Sequence, residues 1–134
     1  SHLEYLMKHL PKELRDKSVM VDGKMTSKKG KAQREKAIED MRAGKKHFLF
    51  ATYALAKEGL DIPRLDRLYL VTPQKDYAVI AQSVGRVART FEGKVTPVVY
   101  DYVDNGIQYL IRSFKKRCTT YRKLGCHWLE EAVM

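Results

Sequence analysis

The chain has 134 residues and a net charge of +10, from 26 lysines and arginines against 16 aspartates and glutamates. Apolar residues make up 44% of it, which is typical of a globular domain and excludes global disorder. No apolar run is long enough to span a membrane, two cysteines are too few for a disulfide framework, and we expect no secretory signal at the start. The sequence therefore predicts a basic domain of a reducing compartment, cytoplasmic or associated with the nucleoid, with no membrane partner.

Short apolar runs alternate with segments of helical period along the chain. Helices are predicted at residues 3–10, 32–41, 77–87 and 107–124, with a short one at 127–133. Strands are predicted at residues 18–21, 47–51, 68–71 and 98–103. Strands that are separated by helices and apolar on both faces indicate an α/β fold, a doubly wound parallel sheet with helices on both faces.

The order of the first elements is unusual for this class. The chain opens on a helical pattern, whereas a doubly wound domain normally opens on a strand. We therefore expect a first strand to precede Ser1 in a longer protein, which makes residues 1–134 one domain truncated at its N-terminus.

The positive charge is clustered in two groups. The first comprises Lys24, Lys28, Lys29, Lys31, Arg34 and Lys36, and the second Arg112, Lys115, Lys116, Arg117, Arg122 and Lys123. Such clusters favour a polyanion, because phosphate contacts by lysine and arginine release condensed counterions. They are equally typical of solvated helix faces, and the charge alone leaves both possibilities open.

Three polar side chains follow the third predicted strand, at the sheet edge where ligands of such folds bind. Gln82, Arg86 and Arg89 are spaced by four and then three residues, which predicts one shared helix face. Gly85 permits close approach of another chain or a ligand, and guanidinium forks match phosphate oxygens. Taken alone, the same residues also suit an ordinary surface helix.

Two separated segments carry a family resemblance. Residues 51–63, followed by Gln82-x-x-Gly-Arg-x-x-Arg89, resemble motifs V and VI of superfamily 2 helicases and translocases. Residues 21–25 and 99–104, and Lys116-Arg117-x-x-x-Tyr121, resemble flanking parts of the same domain. The resemblance covers nearly the whole chain. It implies the C-terminal RecA-like domain of a DEAD/DEAH-type helicase or DNA translocase, near the type III restriction and DNA-repair helicases.

The resemblance assigns roles at a nucleotide. It implies that Arg86 and Arg89 are arginine fingers for the γ-phosphate of ATP, and that Gln82 contacts the phosphates. Asp61 resembles the acid that meets the ATP ribose, although a carboxylate in a turn before a proline is the plain alternative. Gly59 falls both in this nucleotide-binding segment and where the family contacts the nucleic-acid backbone.

The resemblance also implies a nucleic-acid partner, DNA rather than RNA. Thr52 lies where the family contacts the backbone, and a threonine hydroxyl suits phosphate oxygens without reading base identity. The turn at Gly23 and Lys24 extends the same track, although Lys24 fits a solvated face equally well.

Several features of an ATPase do not occur in the sequence. No G-x-x-x-x-G-K-[ST] phosphate loop is present, no acidic pair follows a strand to hold Mg²⁺, and we expect no metal site. An N-terminal RecA-like ATPase domain is therefore expected to hold most of the ATP and Mg²⁺, and this chain alone should not hydrolyse ATP.

Two other classes of function compete with this one. The alternative is a stand-alone basic nucleic-acid-binding module without ATP coupling. A flavodoxin-like or receiver-like regulatory domain shares the alternating pattern, but it needs an acidic cluster or a flavin loop at the strand ends, where this chain presents glutamine and two arginines.

Overall fold

The structure is a computed structural model that describes residues 2–57 and 60–129. Its helices are α1 (His2–Lys8), α2 (Lys12–Arg15), α3 (Lys28–Arg42), α4 (Ala54–Lys57), α5 (Tyr77–Val87) and α6 (Gln108–Lys123). Its strands are β1 (Ser18–Val21), β2 (Phe48–Ala51), β3 (Arg67–Leu70) and β4 (Val98–Asp101). Within the described residues, no helix combines the length and the apolarity needed to cross a membrane.

The strands pair in parallel, within two compact units. The first unit is built on the residues up to Arg64 together with Arg89–Glu92, and in it β1 pairs with β2, with Val21 opposite Ala51. The second unit holds the remaining residues, and in it β3 pairs with β4, with Leu70 opposite Asp101. Parallel strands connected by helices confirm the predicted α/β class.

The core of the first unit lies between the β1–β2 pair and α3. Val21, Ala37 and Leu55 are buried together there. Helix α3 begins at Lys28, four residues before the predicted start, because the Ser27 side chain accepts a hydrogen bond from the Gly30 N–H and caps it.

Helix α3 ends at Arg42, one residue after its predicted end, and Gly44 follows the C-terminal cap Ala43. Gly44 has a φ of 77°, a left-handed conformation that costs glycine little. The Gly44 N–H donates to the Met41 carbonyl, and the Lys45 N–H donates to the Asp40 carbonyl. This pair of hydrogen bonds satisfies two carbonyls of the last helical turn and directs the chain toward β2.

The core of the second unit lies between α5, β3 and α6. Its buried apolar side chains include Leu70, Val79, Ile80, Val84 and Val87. Helix α5 has the bounds that the sequence predicts, and its N-terminus is capped by the Asp76 carboxylate, which accepts from the Val79 N–H.

Several other sequence expectations differ from the structure. Helix α1 ends at Lys8 rather than at residue 10, β2 begins one residue later than predicted, and β3 is shifted by one residue from the predicted 68–71. The one-turn helices α2 and α4 are not predicted by the periodic pattern, because four residues are too few to show a helical period. The strand expected at 98–103 ends at Asp101, where its register with Leu70 also ends. Residues 127–129 are not helical, and the rest of the helix expected at 127–133 lies outside the described residues.

Candidate functional site

The carboxyl ends of β1 and β2 hold two of the predicted nucleic-acid contacts. Because the strands are parallel and Val21 lies opposite Ala51, the residues that follow them emerge at one edge of the pair. The Gly23 N–H donates to Thr52 Oγ1 at 3.1 Å. A hydroxyl that accepts one hydrogen bond still carries an O–H donor, which suits a phosphate oxygen.

Space rather than backbone angle favours glycine at position 23. A Cβ there would lie 3.1 Å from the Ala54 Cβ, tighter than most real Cβ contacts, and 3.4 Å from Thr52 Oγ1, so a larger residue requires a small shift of its neighbours. The neighbouring Lys24 N–H donates to Asp22 Oδ1 at 3.0 Å, which tightens the turn, and the Lys24 side chain is exposed. The structure thus brings Gly23 and Thr52 into contact, with Lys24 next to them.

Asp61 forms a second polar centre in the same unit. Its carboxylate pairs with the Arg89 guanidinium through Oδ1 and Nη1, and its backbone carbonyl accepts from Arg42 Nε at 2.7 Å. Arg42 is itself held by Glu39, at 3.2 Å from Nη1 to Oε2. The Asp61 and Arg89 side chains both remain about half exposed, so the pair is open to solvent.

The expectation that Arg89 shares a helix face with Gln82 and Arg86 is wrong. Helix α5 ends at Val87, Ala88 is its C-terminal cap, and Lys94 Nζ donates to the Val87 carbonyl at 2.7 Å. A cation on the last carbonyls stabilises a helix end at that point.

The segment that carries Arg89 is held by the first unit. Besides the ion pair of Arg89 with Asp61, the Arg64 guanidinium lies over the Phe91 ring at 5.5 Å. These two tertiary contacts, which helical spacing cannot reveal, explain why the helix is not extended by another turn.

Gln82 and Arg86 lie one turn apart on α5 in the second unit, as predicted. Gln82 is exposed and Arg86 is half-buried. A Cβ on Gly85 would meet nothing within 4 Å among the described residues, so this side of α5 accepts close approach. Gly59, the remaining predicted site residue, lies outside the described residues.

Sequence reasoning missed a buried polar cluster in the second unit. Arg117 of α6 makes a two-pronged ion pair with Asp101 at the end of β4, with Nε and Nη2 at 2.7 and 2.8 Å from the carboxylate oxygens. Arg117 Nη1 also donates to the Gln74 carbonyl at 3.1 Å, and the Tyr121 hydroxyl donates to the Asp101 carboxylate. The sequence contains one indication of this cluster: the cation Arg117 lies on the same face of the predicted helix as Cys118 and Tyr121, which are suited to burial.

Burial and charge act in opposite directions on this cluster. Burial alone lowers the pKa of Arg117, but the hydrogen bonds and negative charge of Asp101 leave that pKa above its usual value. Burial first, and the hydrogen bond to Asp101 second, raise the pKa of Tyr121 well above its usual value. The cluster therefore contains a charged arginine and a protonated tyrosine, and it ties α6 to β4 and to the loop before α5.

The cavity beside Asp61 gives little room for a whole ligand. The cavity beside Asp61, lined also by Arg34, Leu55 and Leu60, has a volume of about 60 Å³. Small-molecule sites usually measure roughly 300–1,000 Å³, so this cavity by itself does not enclose a whole small molecule. Over residues 2–57 and 60–129, no three His, Cys, Asp or Glu side chains are grouped as metal ligands would be.

The fold is that of a RecA-like C-terminal helicase domain. A solved structure, "Structure of the C-terminal domain of the DEAD-box protein Dbp5", superposes with a TM-score of 0.58 at 22% identity, covering 85% of this chain and 59% of that chain. At this identity the match establishes the fold alone.

The model of the helicase conserved C-terminal domain matches residues 1–91, and the chain belongs to that family. It is 32% identical over 111 residues to "Putative helicase 22" of Sulfolobus islandicus filamentous virus, covering 83% of this chain. It is also 32% identical over 91 residues to UvrABC system protein B of Bacillus licheniformis, covering 63% of this chain. The chain spans only 20% and 13% of the lengths of these two relatives.

Proposed function

We propose that this chain is the C-terminal half of a nucleic-acid-dependent ATPase, a helicase or translocase of superfamily 2. In this proposal residues 1–134 are the second RecA-like domain, and an N-terminal RecA-like domain of the same protein binds ATP and Mg²⁺. Arg86, Arg89 and Gln82 act on the phosphates, and Asp61 contacts the ribose. Membership of the helicase C-terminal domain family supports the assignment of this chain to the C-terminal half of such an ATPase.

The observation that carries the nucleotide role is the contact between Asp61 and Arg89. These residues are 28 positions apart, and they fall in the two segments that resemble motifs V and VI. An exposed carboxylate suits the hydroxyls of a ribose, and a guanidinium suits phosphate oxygens. Their meeting in one unit supports a single ligand that uses both.

The exposure of this pair fits a role in binding. Exposed ion pairs contribute only about 0–1 kcal/mol, because solvent screens them. A polyphosphate offers the guanidinium more charge and a two-pronged geometry, so it competes readily with one exposed carboxylate. Arg89 then neutralises the charge that develops as the γ-phosphoryl group passes to water, an effect of about 10³–10⁵ in rate in comparable systems.

The nucleic-acid role rests on the edge where β1 and β2 end. Thr52 and the Gly23–Lys24 turn offer a hydroxyl, backbone N–H groups and a cation there, which suit a phosphate backbone and ignore base sequence. The resemblance of residues 51–63 and 82–89 to DNA translocases and DNA-repair helicases supports DNA over RNA as the partner.

The test is steady-state ATPase kinetics in the presence of DNA. The chain alone should show no turnover, because it holds one edge of the nucleotide. In the longer protein that includes an N-terminal ATPase domain, Arg86→Ala or Arg89→Ala should lower kcat strongly and change KM less. Arg15→Ala, on the exposed helix α2, removes the same side chain away from the site and should leave both unchanged.

Two results would contradict the proposal. One is DNA-stimulated turnover by the isolated chain, and the other is an Arg89→Ala protein with normal kcat. Nucleic-acid binding that is unaffected by ATP in the longer protein would instead favour the alternative, a binding module without ATP coupling, for which the net charge of +10 is the supporting observation.

A further inference from the structure

Helix α6 presents one face made of cations. Five of its lysines and arginines are exposed: Arg112, Lys115, Lys116, Arg122 and Lys123. At 3.6 residues per turn these five positions fall within about a third of the helix circumference. The buried positions lie on the opposite side: Ser113, Arg117, Cys118, Thr120 and Tyr121. We call the five exposed cations the α6 basic face.

Within residues 2–57 and 60–129, the α6 basic face has no acidic partners. Helix α6 contains no aspartate or glutamate, and none of the five side chains pairs with an acid anywhere in the described residues. The other long basic helix, α3, differs in this respect. Its Lys36 pairs with Asp40 at 3.0 Å and its Arg42 pairs with Glu39 at 3.2 Å.

The stability of the helix does not explain three of these cations. Arg122 and Lys123 lie in the last turn, where positive charge interacts favourably with the helix dipole. Arg112, Lys115 and Lys116 lie earlier, where that benefit disappears. They also repel one another across spacings of three and four residues, which costs a few tenths of a kcal/mol per pair.

We propose that the α6 basic face binds the phosphodiester backbone of nucleic acid without reading its sequence. From Arg112 to Lys123 the face extends about 17 Å at 1.5 Å per residue. Measured along the axis of a duplex, that length corresponds to about five base-pair steps at 3.4 Å each. The surface lies in the second unit and needs no ATP, so it is additional to the edge formed by Thr52 and Gly23.

The buried side of α6 distinguishes this partner from an anionic membrane. A helix that lies on a membrane inserts an apolar face opposite its cations. In α6 that opposite face is occupied, because Cys118 and Tyr121 are buried and Arg117 is tied to Asp101. The other exposed side chains of α6 are Gln108, Tyr109 and Thr119, so its exposed surface is mostly polar and cationic, which suits a polyanion bound at that surface.

The test uses the full chain and two fluorescent probes, a short duplex DNA of mixed sequence and one of its single strands. Binding of each is titrated between about 50 and 200 mM salt. The variant Arg112→Gln/Lys115→Gln/Lys116→Gln is compared with Lys8→Gln/Lys12→Gln/Lys17→Gln, which removes three exposed cations from the first unit. Both variants lower the net charge equally.

We expect the α6 variant to bind DNA about tenfold more weakly or worse. The logarithm of its association constant should also fall less steeply with the logarithm of the salt concentration, by about 2 to 3 in slope, which is roughly 0.7–0.9 for each lost phosphate contact. The control should retain most of the affinity. Thermal melts should show an α6 variant as stable as the parent or slightly more stable, since like-charge repulsion is removed. The two probes then report whether a duplex or a single strand is preferred.

Three results would overturn the proposal. The two variants could lose affinity equally, which would indicate net charge rather than a surface. The α6 variant could bind both probes normally. The parent could bind vesicles containing phosphatidylserine while neither DNA probe binds, which would assign the face to a membrane. None of these outcomes depends on ATP, so they leave the proposed nucleotide role to its own experiment.

Discussion

Each unit of the molecule contains an arginine–aspartate pair that joins residues far apart in the sequence, and these two pairs differ in burial. In Arg117–Asp101 the side chains are 4% and 8% exposed, and two nitrogens of the guanidinium reach the two carboxylate oxygens. In Arg89–Asp61 the side chains are 44% and 53% exposed, and Nη1 of the guanidinium contacts Oδ1 of the carboxylate. The same two residue types therefore form a buried pair in one unit and a solvent-exposed pair in the other.

The difference teaches what each pair is able to do. A buried charge that loses its partner cannot be solvated, so Arg117 and Asp101 keep each other in place together with the loop at Gln74. An exposed charge that loses its partner is hydrated by water at little cost. The buried pair is suited to fix structure, and the exposed pair is suited to exchange its partner for a ligand.

The largest expected effect comes from breaking the buried pair. Arg117→Met should lower the free energy of unfolding by about 3–5 kcal/mol, because it leaves the Asp101 carboxylate buried without its cation. Denaturant unfolding measures this. Arg112→Met on the exposed face of the same helix is the matched control and should change stability by less than about 0.5 kcal/mol.

A double variant sharpens the same point. Arg117→Met combined with Asp101→Leu removes both charges and should recover much of the stability that Arg117→Met loses. If Arg117→Met cost no more than its Arg112→Met control, the buried pair would have no structural role and the contrast between the two pairs would fail.

Replacing arginine by lysine should lower stability more in the buried pair than in the exposed pair, because only the buried pair is known to use two guanidinium nitrogens. Arg117→Lys keeps the charge but loses the two-pronged contact with Asp101, which should cost about 1.5–3 kcal/mol. Arg89→Lys in the exposed pair should cost less than about 0.5 kcal/mol. Thermal melts of the two variants side by side provide the comparison, and equal losses would contradict it.

Much of the fold is predictable from the sequence, because the elements are periodic. The bounds of β1 and of α5 are those that the apolar pattern predicts, and α6 differs by one residue at each end. The pattern does not reveal α2 and α4, which are one turn each. It also cannot show that the Ser27 cap starts α3 four residues early, because capping depends on one side chain.

The site was predictable where the fold alone brings residues together. Gly23 and Thr52 follow adjacent parallel strands, so their contact follows from the topology. The position of Arg89 did not follow, because a tertiary ion pair with Asp61 replaces a further helical turn. The assignments of all the predicted site residues stay predictions: Gln82, Arg86, Arg89, Asp61 and Gly59 at a nucleotide, and Thr52, Gly23, Lys24 and Gly59 at a nucleic acid.

Alkaline pH should weaken the buried cluster through Tyr121. Its pKa lies above the ordinary 10.0, so above about pH 10 the unfolded chain releases this proton while the folded chain retains it. This contribution to stability is complete below pH 10 and falls by about 1.4 kcal/mol per pH unit above it.

The measurement is the pH dependence of unfolding above pH 10. In Tyr121→Phe the free energy of unfolding should fall less steeply with pH, by about 1.4 kcal/mol per pH unit. Tyr109→Phe, at an exposed position of the same helix, should leave this pH dependence unchanged. An unaltered slope in Tyr121→Phe would show that Asp101 and burial do not hold this proton.

The smallest expected effect on stability comes from the exposed pair. Arg89→Gln and Asp61→Asn should each lower the free energy of unfolding by no more than about 1 kcal/mol at low salt. Their coupling in a double-mutant cycle should be about 0.2–1 kcal/mol. It should vanish near 1 M salt, where the Debye length is about 3 Å, whereas the cost of Arg117→Met should persist because buried charges are screened much less. A coupling between Arg89 and Asp61 that survived high salt would mean that this pair is locked like the buried one. Arg89 would then be unable to leave Asp61 for a phosphate, and its proposed role at the nucleotide would fail with it.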